Sequence, residues 1–115
     1  MSASEALQAA RSLVAGGRLG TDVMWARSAA LVTRQALEEA LYEKLHSQYG
    51  VGRSAKFSTQ LILLREVSDN PELAAEVAWT WSALSSATHI QGYALPPTHG
   101  ELQRWLGTVE RFVAT

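Results

Sequence analysis

The chain has 115 residues, of which 47% are hydrophobic and 18% charged, and its formal net charge is −1. This composition excludes a disordered chain and suits one folded domain over 1–115. The near-neutral charge argues against an extended electrostatic grip on nucleic acid, although it is compatible with a small local basic cluster. Because the chain has no cysteine, it has no disulfide, no thiol nucleophile and no Cys-ligated zinc site.

The apolar segments of the chain are short. The first residues lack the apolar core of a signal peptide, and no apolar run approaches the roughly 20 residues needed to span a membrane. We therefore expect a cytoplasmic protein with no membrane partner. Four tryptophans are many for a chain of this length, and they indicate either a well-filled core or an apolar contact surface.

Helical periodicity dominates the first half of the chain. The recurrence of apolar residues predicts a first helix over 4–15 that ends at a pair of glycines, because glycine is favoured just past a helix end. A long helix is predicted over 22–48, where apolar residues recur at three, four or seven positions and neither Gly nor Pro intervenes. Residues 21–22, Thr and Asp, are the expected cap of this helix.

A short third helix is predicted over 58–67. Glycines at 50 and 52 predict a loop before it, and the Ser and Thr at 58–59 are its expected cap. A buried strand is the alternative for the apolar run 60–64, since short apolar runs fit either structure. No partner strand is found elsewhere in the sequence, so we reject this alternative.

The fourth predicted helix, over 71–91, is apolar on nearly every side and begins with a favourable cap, Asn70 before a proline. A helix that is apolar all round is usually buried, so we expect this one at the centre of the fold. Thr98 and Glu101 have the spacing of a capping box and predict a last helix over 99–114. Together these patterns predict an all-α, single-domain helical bundle of about five helices.

One narrow polar line interrupts the fourth helix. Four residues spaced i, i+3, i+4 and i+7 share one face: Ser82, Ser85, Ser86 and His89. In a functional interpretation His89 acts as acid, base or ligand, because imidazole titrates near neutral pH, and the serines line a groove. In a structural interpretation the histidine is buried and satisfied, and the serine hydroxyls bond back to the preceding turn.

A second candidate cluster lies on the long helix, where Arg27, Arg34 and Glu38 share a face. Arg34 could hold a phosphate while Glu38 orients it or pairs with His89. The alternative is a surface pair at i, i+4 that contributes only roughly 0.3–0.5 kcal/mol. His99, before the last helix, could join an anion site at the helix N-terminus, or it is an ordinary exposed loop histidine.

Several classes of site have no support in the sequence. No two histidines have the spacing of metal ligands, and no Asp or Glu cluster accompanies them. Phosphate-binding loops and dinucleotide fingerprints are absent, and no nucleophile elbow supports a catalytic serine. We therefore expect neither a metal nor a cofactor.

Two stretches resemble a known family. WARSAALVTRQALEEALYEKL, residues 25–45, and ALSSATHIQGY, residues 83–93, resemble the HEPN superfamily in their helical order and in a late helix that carries His89 and then Tyr93. The similarity spans roughly 4–113. It implies an all-helical, commonly dimeric domain of toxin–antitoxin, defence or RNA-processing systems, and it implies a binding role for Tyr93.

Active members of this superfamily are metal-independent ribonucleases. Their signature is an Arg followed, after four to six residues, by a His on the late helix, and the two copies meet at the dimer interface. His89 matches this histidine in place. The arginine, whose charge would stabilise the transition state, is missing, because the matching positions hold Ser82, Ala83 and Leu84.

The missing arginine favours a non-catalytic HEPN-like homodimer that binds a protein partner, such as an antitoxin or effector, or RNA, with the long helix and the His89 helix in the dimer face. A divergent ribonuclease with His89 as acid or base and Arg34 as phosphate clamp is the second hypothesis. A structural helical subunit of a larger assembly is the third. His89 is the catalytic candidate, and the predicted binding residues are Arg34, Glu38, Ser82, Ser85, Ser86, Tyr93 and His99.

Overall fold

The computed structural model describes residues 2–16, 23–89 and 95–115. These residues form a compact bundle of α-helices and contain no β-strand, which confirms the predicted all-α class and the helical interpretation of 60–64. In chain order the five helices are α1 (Ala3–Gly16), α2 (Val23–Tyr49), α3 (Phe57–Val67), α4 (Pro71–Thr88) and α5 (His99–Ala114). In the described ranges, no helix combines the length and hydrophobicity needed to cross a membrane.

Helix α2 lies at the centre of the bundle, because it packs against all four other helices. Its inner side carries almost completely buried side chains, among them Ala30, Leu37, Leu41 and Leu45. Helix α1 packs on α2 and α5, and α4 packs on α2, α3 and α5. The helices around α2 thus share one hydrophobic core.

Helix α4 is not the buried centre that its composition predicts. Its buried side chains follow one side only, and they are Ala74, Val77, Thr80 and Leu84. Trp79 projects from the opposite side and is 58% exposed. The prediction failed because hydrophobic composition does not tell how many neighbours cover a helix, and α4 is covered on one side.

Local capping interactions fix the starts of two helices as predicted. The Oδ1 atom of Asn70 accepts a hydrogen bond from the backbone N–H of Leu73 at 3.1 Å, and proline follows the cap. Thr98 and Glu101 form both hydrogen bonds of a capping box, at 3.0 and 3.1 Å. Such bonds satisfy backbone N–H groups that have no partner within the helix.

Both ends of α1 and of α2 and the start of α3 differ from the predictions by one residue, and the end of α4 differs by three. Helix α4 ends at Thr88 because His89 is extended, with φ −79° and ψ 134°, whereas the prediction continued to 91; positions 90 and 91 lie outside the described residues. Helix α3 begins one residue before the predicted 58, and Lys56 at its N-cap makes no side-chain capping bond. The cap expected at 21–22 also lies outside the described residues.

Replacing Leu41 with Ala tests the central position of α2. This side chain is 1% exposed, so the substitution leaves a cavity in the core and should lower the free energy of unfolding by about 2–5 kcal/mol. Urea denaturation followed by circular dichroism measures the loss. The matched variant Leu95→Ala, at a side chain that is 91% exposed, should change it by less than about 0.5 kcal/mol. Equal losses in the two variants would contradict this core.

Candidate functional site

A groove of about 360 Å³ lies between the N-terminal half of α2 and the end of α4. Helix α2 contributes residues at three- and four-residue spacing, which places them on one face, and α4 contributes its last residue and its C-cap. The described lining consists of Met24, Arg27, Ser28, Leu31, Arg34, Thr88 and His89. The groove therefore combines two guanidiniums, two hydroxyls and an imidazole with two apolar side chains.

Two arginines of α2 hold the end of α4. Arg27 Nη1 donates a hydrogen bond to the backbone oxygen of His89 at 2.7 Å, where a cation also suits the negative end of the helix dipole. Arg34 Nη1 donates to Thr88 Oγ1 at 3.1 Å, and this hydroxyl donates to the carbonyl of Ser85 at 2.8 Å. Because a guanidinium has five N–H donors, each arginine retains further donors.

Glu38 lies beside Arg34 and connects α2 with α4. Its Oε2 atom is 3.8 Å from Arg34 Nε, which is too long for a hydrogen bond, and this buried Nε has no partner among the described residues. The same carboxylate oxygen accepts a hydrogen bond from the indole N–H of Trp81 at 3.1 Å. The negative charge of Glu38 therefore offsets part of the positive charge of Arg34, although Glu38 is not part of the described groove lining.

Arg27, Arg34 and His89 line the same groove, and the phosphate-clamp role of Arg34 stays a prediction. The His89 side chain is exposed, because the residue stands just past the end of α4. The suggested pairing of Glu38 with His89 is not formed, since the carboxylate contacts Arg34 and Trp81 instead.

The three serines of the polar line do not belong to the described lining of the groove. Ser82 and Ser86 are exposed, and Ser85 is partly buried. The hydroxyl of Ser85 has no partner in the described ranges, whereas its carbonyl accepts the bond from Thr88. Ser85 therefore contributes to the groove only indirectly, through the carbonyl that accepts the hydrogen bond from Thr88.

His99 lies elsewhere, at the end of α1. Its Nε2 atom is 3.2 Å from the carbonyl oxygen of Val14, and its ring lies against that of Trp25 with the centroids 6.0 Å apart. The Trp25 indole donates to the carbonyl of Leu13 at 2.7 Å. Trp25 and His99 therefore contact backbone carbonyl oxygens in the last turn of α1, which have no hydrogen-bond partner within the helix. Tyr93 lies outside the described residues.

The sequence interpretation did not assign four of the lining residues to the site. Thr88 directly precedes His89, but it falls off the i, i+3, i+4 line on which the serines were found. Leu31 and Ser28 lie on the same face of α2 as Arg34, so extension of the Arg27–Arg34 spacing would have found them. Met24 extends the face toward the start of α2.

No cluster of three or more His, Asp or Glu side chains within the described ranges is arranged to hold a metal ion. In comparisons with known proteins, the chain matches no family model, no curated protein and no solved structure. The architecture shown is an all-helical bundle of five helices, and no family is identified.

Replacing Trp81 with Phe tests the connection between α4 and Glu38. The variant removes the donor to a carboxylate whose side chain is 18% exposed, so we expect the free energy of unfolding to fall by about 1–2 kcal/mol. The matched variant Trp79→Phe alters an indole that is 58% exposed and should be nearly neutral. Comparable urea denaturation midpoints for the two variants would show that the bond to Glu38 contributes nothing.

Proposed function

We propose that the protein is a non-catalytic, HEPN-like helical module that binds the phosphates of an RNA strand in the groove between α2 and α4. The observation that carries this proposal is the position of Arg27, Arg34 and His89 around one groove whose described lining contains no carboxylate. These groups provide donors and positive charge, which is what phosphodiester oxygens require.

The groove offers more than charge. The arginine forks suit bidentate contacts to phosphate oxygens, and the hydroxyls of Ser28 and Thr88 line the same groove. The net charge of −1 does not oppose such binding, because physiological salt screens charges more than about 8 Å away. The near-neutral composition is compatible with a small local basic cluster of this kind.

The apolar side chains of the groove suit a single strand. Met24 and Leu31 are 66% and 38% exposed and lie among the charged groups, so a base or ribose can pack on them while its phosphate contacts the arginines. An acidic peptide presents carboxylates to the same donors and is the competing ligand.

We propose that the module is a homodimer, since two grooves that bind one RNA strand raise the avidity.

The chemistry of the lining supports binding more than cleavage. Metal-free cleavage of RNA needs a base to take the 2′-hydroxyl proton and an acid to protonate the leaving oxygen. In the described lining His89 is the one side chain of a type that commonly serves as a general acid or base. Arginine stays protonated, and serine and threonine hydroxyls are too weakly acidic for this purpose.

Metal-independent RNA cleavage is nevertheless a second candidate function, favoured by one observation. Arg34 lines the same groove as His89, although it comes from a different helix than the arginine of the HEPN signature. A guanidinium there would stabilise negative charge on the phosphate in the transition state, and a homodimer would supply a second imidazole.

The variant Arg27→Ala tests the binding proposal. With a fluorescein-labelled single-stranded RNA, anisotropy should show an affinity loss of about tenfold, equivalent to about 1.4 kcal/mol, because one phosphate contact is lost. The slope of log K against log salt should fall by about 0.7. The exposed Arg104, on α5 and outside the groove lining, serves as the control, and Arg104→Ala should bind RNA as the wild type does.

Three further measurements complete the Arg27→Ala experiment: folding, oligomeric state and binding of a competing acidic peptide. Arg27 also donates a hydrogen bond to the His89 carbonyl, so circular dichroism must show that the Arg27→Ala variant is folded. Light scattering should give about twice the chain mass of 12.5 kDa, and a single-chain mass would count against the homodimer. Equal RNA affinity in Arg27→Ala and the wild type, or tighter binding of an acidic peptide than of RNA, would overturn the proposed ligand.

The variant His89→Ala separates binding from cleavage. With purified protein and excess EDTA, we expect the wild type to leave RNA intact, whereas the NMR resonances of the His89 ring shift when RNA is added. The exposed His46, whose Nδ1 lies 3.0 Å from the Val51 carbonyl, should not shift. Cleavage that disappears in His89→Ala and persists in His46→Ala would instead establish the ribonuclease.

A further inference from the structure

The two arginines of the groove start far apart on α2 and meet the same end of α4. Arg27 and Arg34 are seven residues apart, so their Cα atoms are separated by about 10.5 Å along the helix. Arg27 donates to the carbonyl of His89. Arg34 donates to the hydroxyl of Thr88, whose Cα atom is about 3.8 Å from that of His89. The two guanidiniums therefore converge.

Each guanidinium is already oriented by contacts within the protein. The donor in both bonds to α4 is an Nη1 atom, and a guanidinium has five N–H donors in one rigid plane. Glu38 lies beside Arg34, whose side chain is 26% exposed and whose Nε is buried, so a ligand in the groove meets the terminal nitrogens of this fork. Donors that are held in place before binding lose less conformational entropy when a ligand arrives.

Two converging forks suit a phosphate monoester better than the phosphodiester of a continuous strand. A monoester has three terminal oxygens and a charge of about −1.5 to −2 at pH 7, whereas a phosphodiester has two non-bridging oxygens and a single negative charge. The imidazole of His89 and the hydroxyl of Ser28 line the same groove and provide donors for the third oxygen.

The charge of the groove favours the monoester for a second reason. The described lining has two guanidiniums and no carboxylate, and Glu38 offsets part of the charge of Arg34 from outside that lining. The attraction between the remaining positive charge and a ligand is proportional to the charge of the ligand. A dianion is therefore attracted up to about twice as strongly as a monoanion at the same position.

The groove is also short. Its described lining on α2 runs from Met24 to Arg34, which corresponds to about 15 Å of helix. Met24 and Leu31 are 66% and 38% exposed, so the last nucleoside of a strand can pack on them beside its phosphate. These dimensions suit the end of a strand.

We propose that the groove preferentially binds a terminal phosphate monoester, the phosphorylated end of an RNA strand, which the forks of Arg27 and Arg34 hold together. This inference rests on the proposed RNA binding and names the part of the RNA that the groove recognises. A free nucleoside monophosphate presents the same group and is the other source.

Fluorescence anisotropy with short single-stranded RNAs of one sequence tests the preference. One pair has a 5′-phosphate or a 5′-hydroxyl and a label at the 3′ end, and the other has a 3′-phosphate or a 3′-hydroxyl and a label at the 5′ end. In one pair the phosphorylated strand should bind at least about tenfold more tightly, which identifies the recognised end. Unlabelled adenosine monophosphate separates the sources: displacement as effective as that by the unlabelled phosphorylated strand assigns the site to a free nucleotide, and weaker displacement assigns it to the strand.

The inference and the proposed function fail in different ways. Equal affinities within both pairs would overturn the preference for a terminal phosphate and leave RNA binding intact. Absence of binding by all four strands would overturn the proposed function. NMR titration with adenosine monophosphate then decides the inference alone, because saturable shifts at Thr88 and His89 support it and unchanged resonances overturn it.

Two lysine variants test the convergence of the forks. Arg27→Lys and Arg34→Lys keep the charge but replace the planar fork, so each should lower the affinity ratio between phosphorylated and hydroxyl-ended RNA by about threefold or more. The control is Arg104→Lys, at an exposed residue outside the groove, which should keep the full ratio. An unchanged ratio in a folded Arg27→Lys or Arg34→Lys variant would show that the two arginines do not share one phosphate. If Arg34→Lys does not fold, Arg27→Lys decides alone.

Discussion

The burial of one leucine-rich side of α2 is the interaction on which the rest of the structure depends. Leu37, Leu41 and Leu45 are at most 1% exposed, and each contributes about 1.5–3 kcal/mol through burial. These contacts position the four surrounding helices. With 27 residues, α2 is about 40 Å long, and the molecule measures 41 Å in its longest dimension. The side of α2 that the core does not use therefore runs along the groove.

Much of the fold could be predicted because its determinants are local. The cap at Asn70 and the capping box of Thr98 and Glu101 involve residues three apart, so their spacing alone is informative. The position of α4 could not be predicted in this way. Trp79 looks like a core residue in any sequence pattern, yet its exposure depends on which helices pack beside it, and that is decided by contacts between distant segments.

The candidate site was predictable only in part, for the same reason. His89 and Arg34 were named from residue type and helical spacing, but 55 positions separate them in the chain, and only the packing of α4 on α2 places them in one groove. Thr88 was not predicted because it belongs to the helix but lies off the i, i+3, i+4 and i+7 line on which the other polar residues were found.

Glu38 has a consequence for the stability of the groove itself. Its carboxylate stands beside Arg34 on the same helix and accepts the indole N–H of Trp81 on α4, while Arg34 donates to Thr88 at the end of α4. Both hydrogen bonds cross from α2 to α4, so a displacement of α4 would break them together. The shape of the groove and the charges beside Arg34 thus depend on the same contact between two helices.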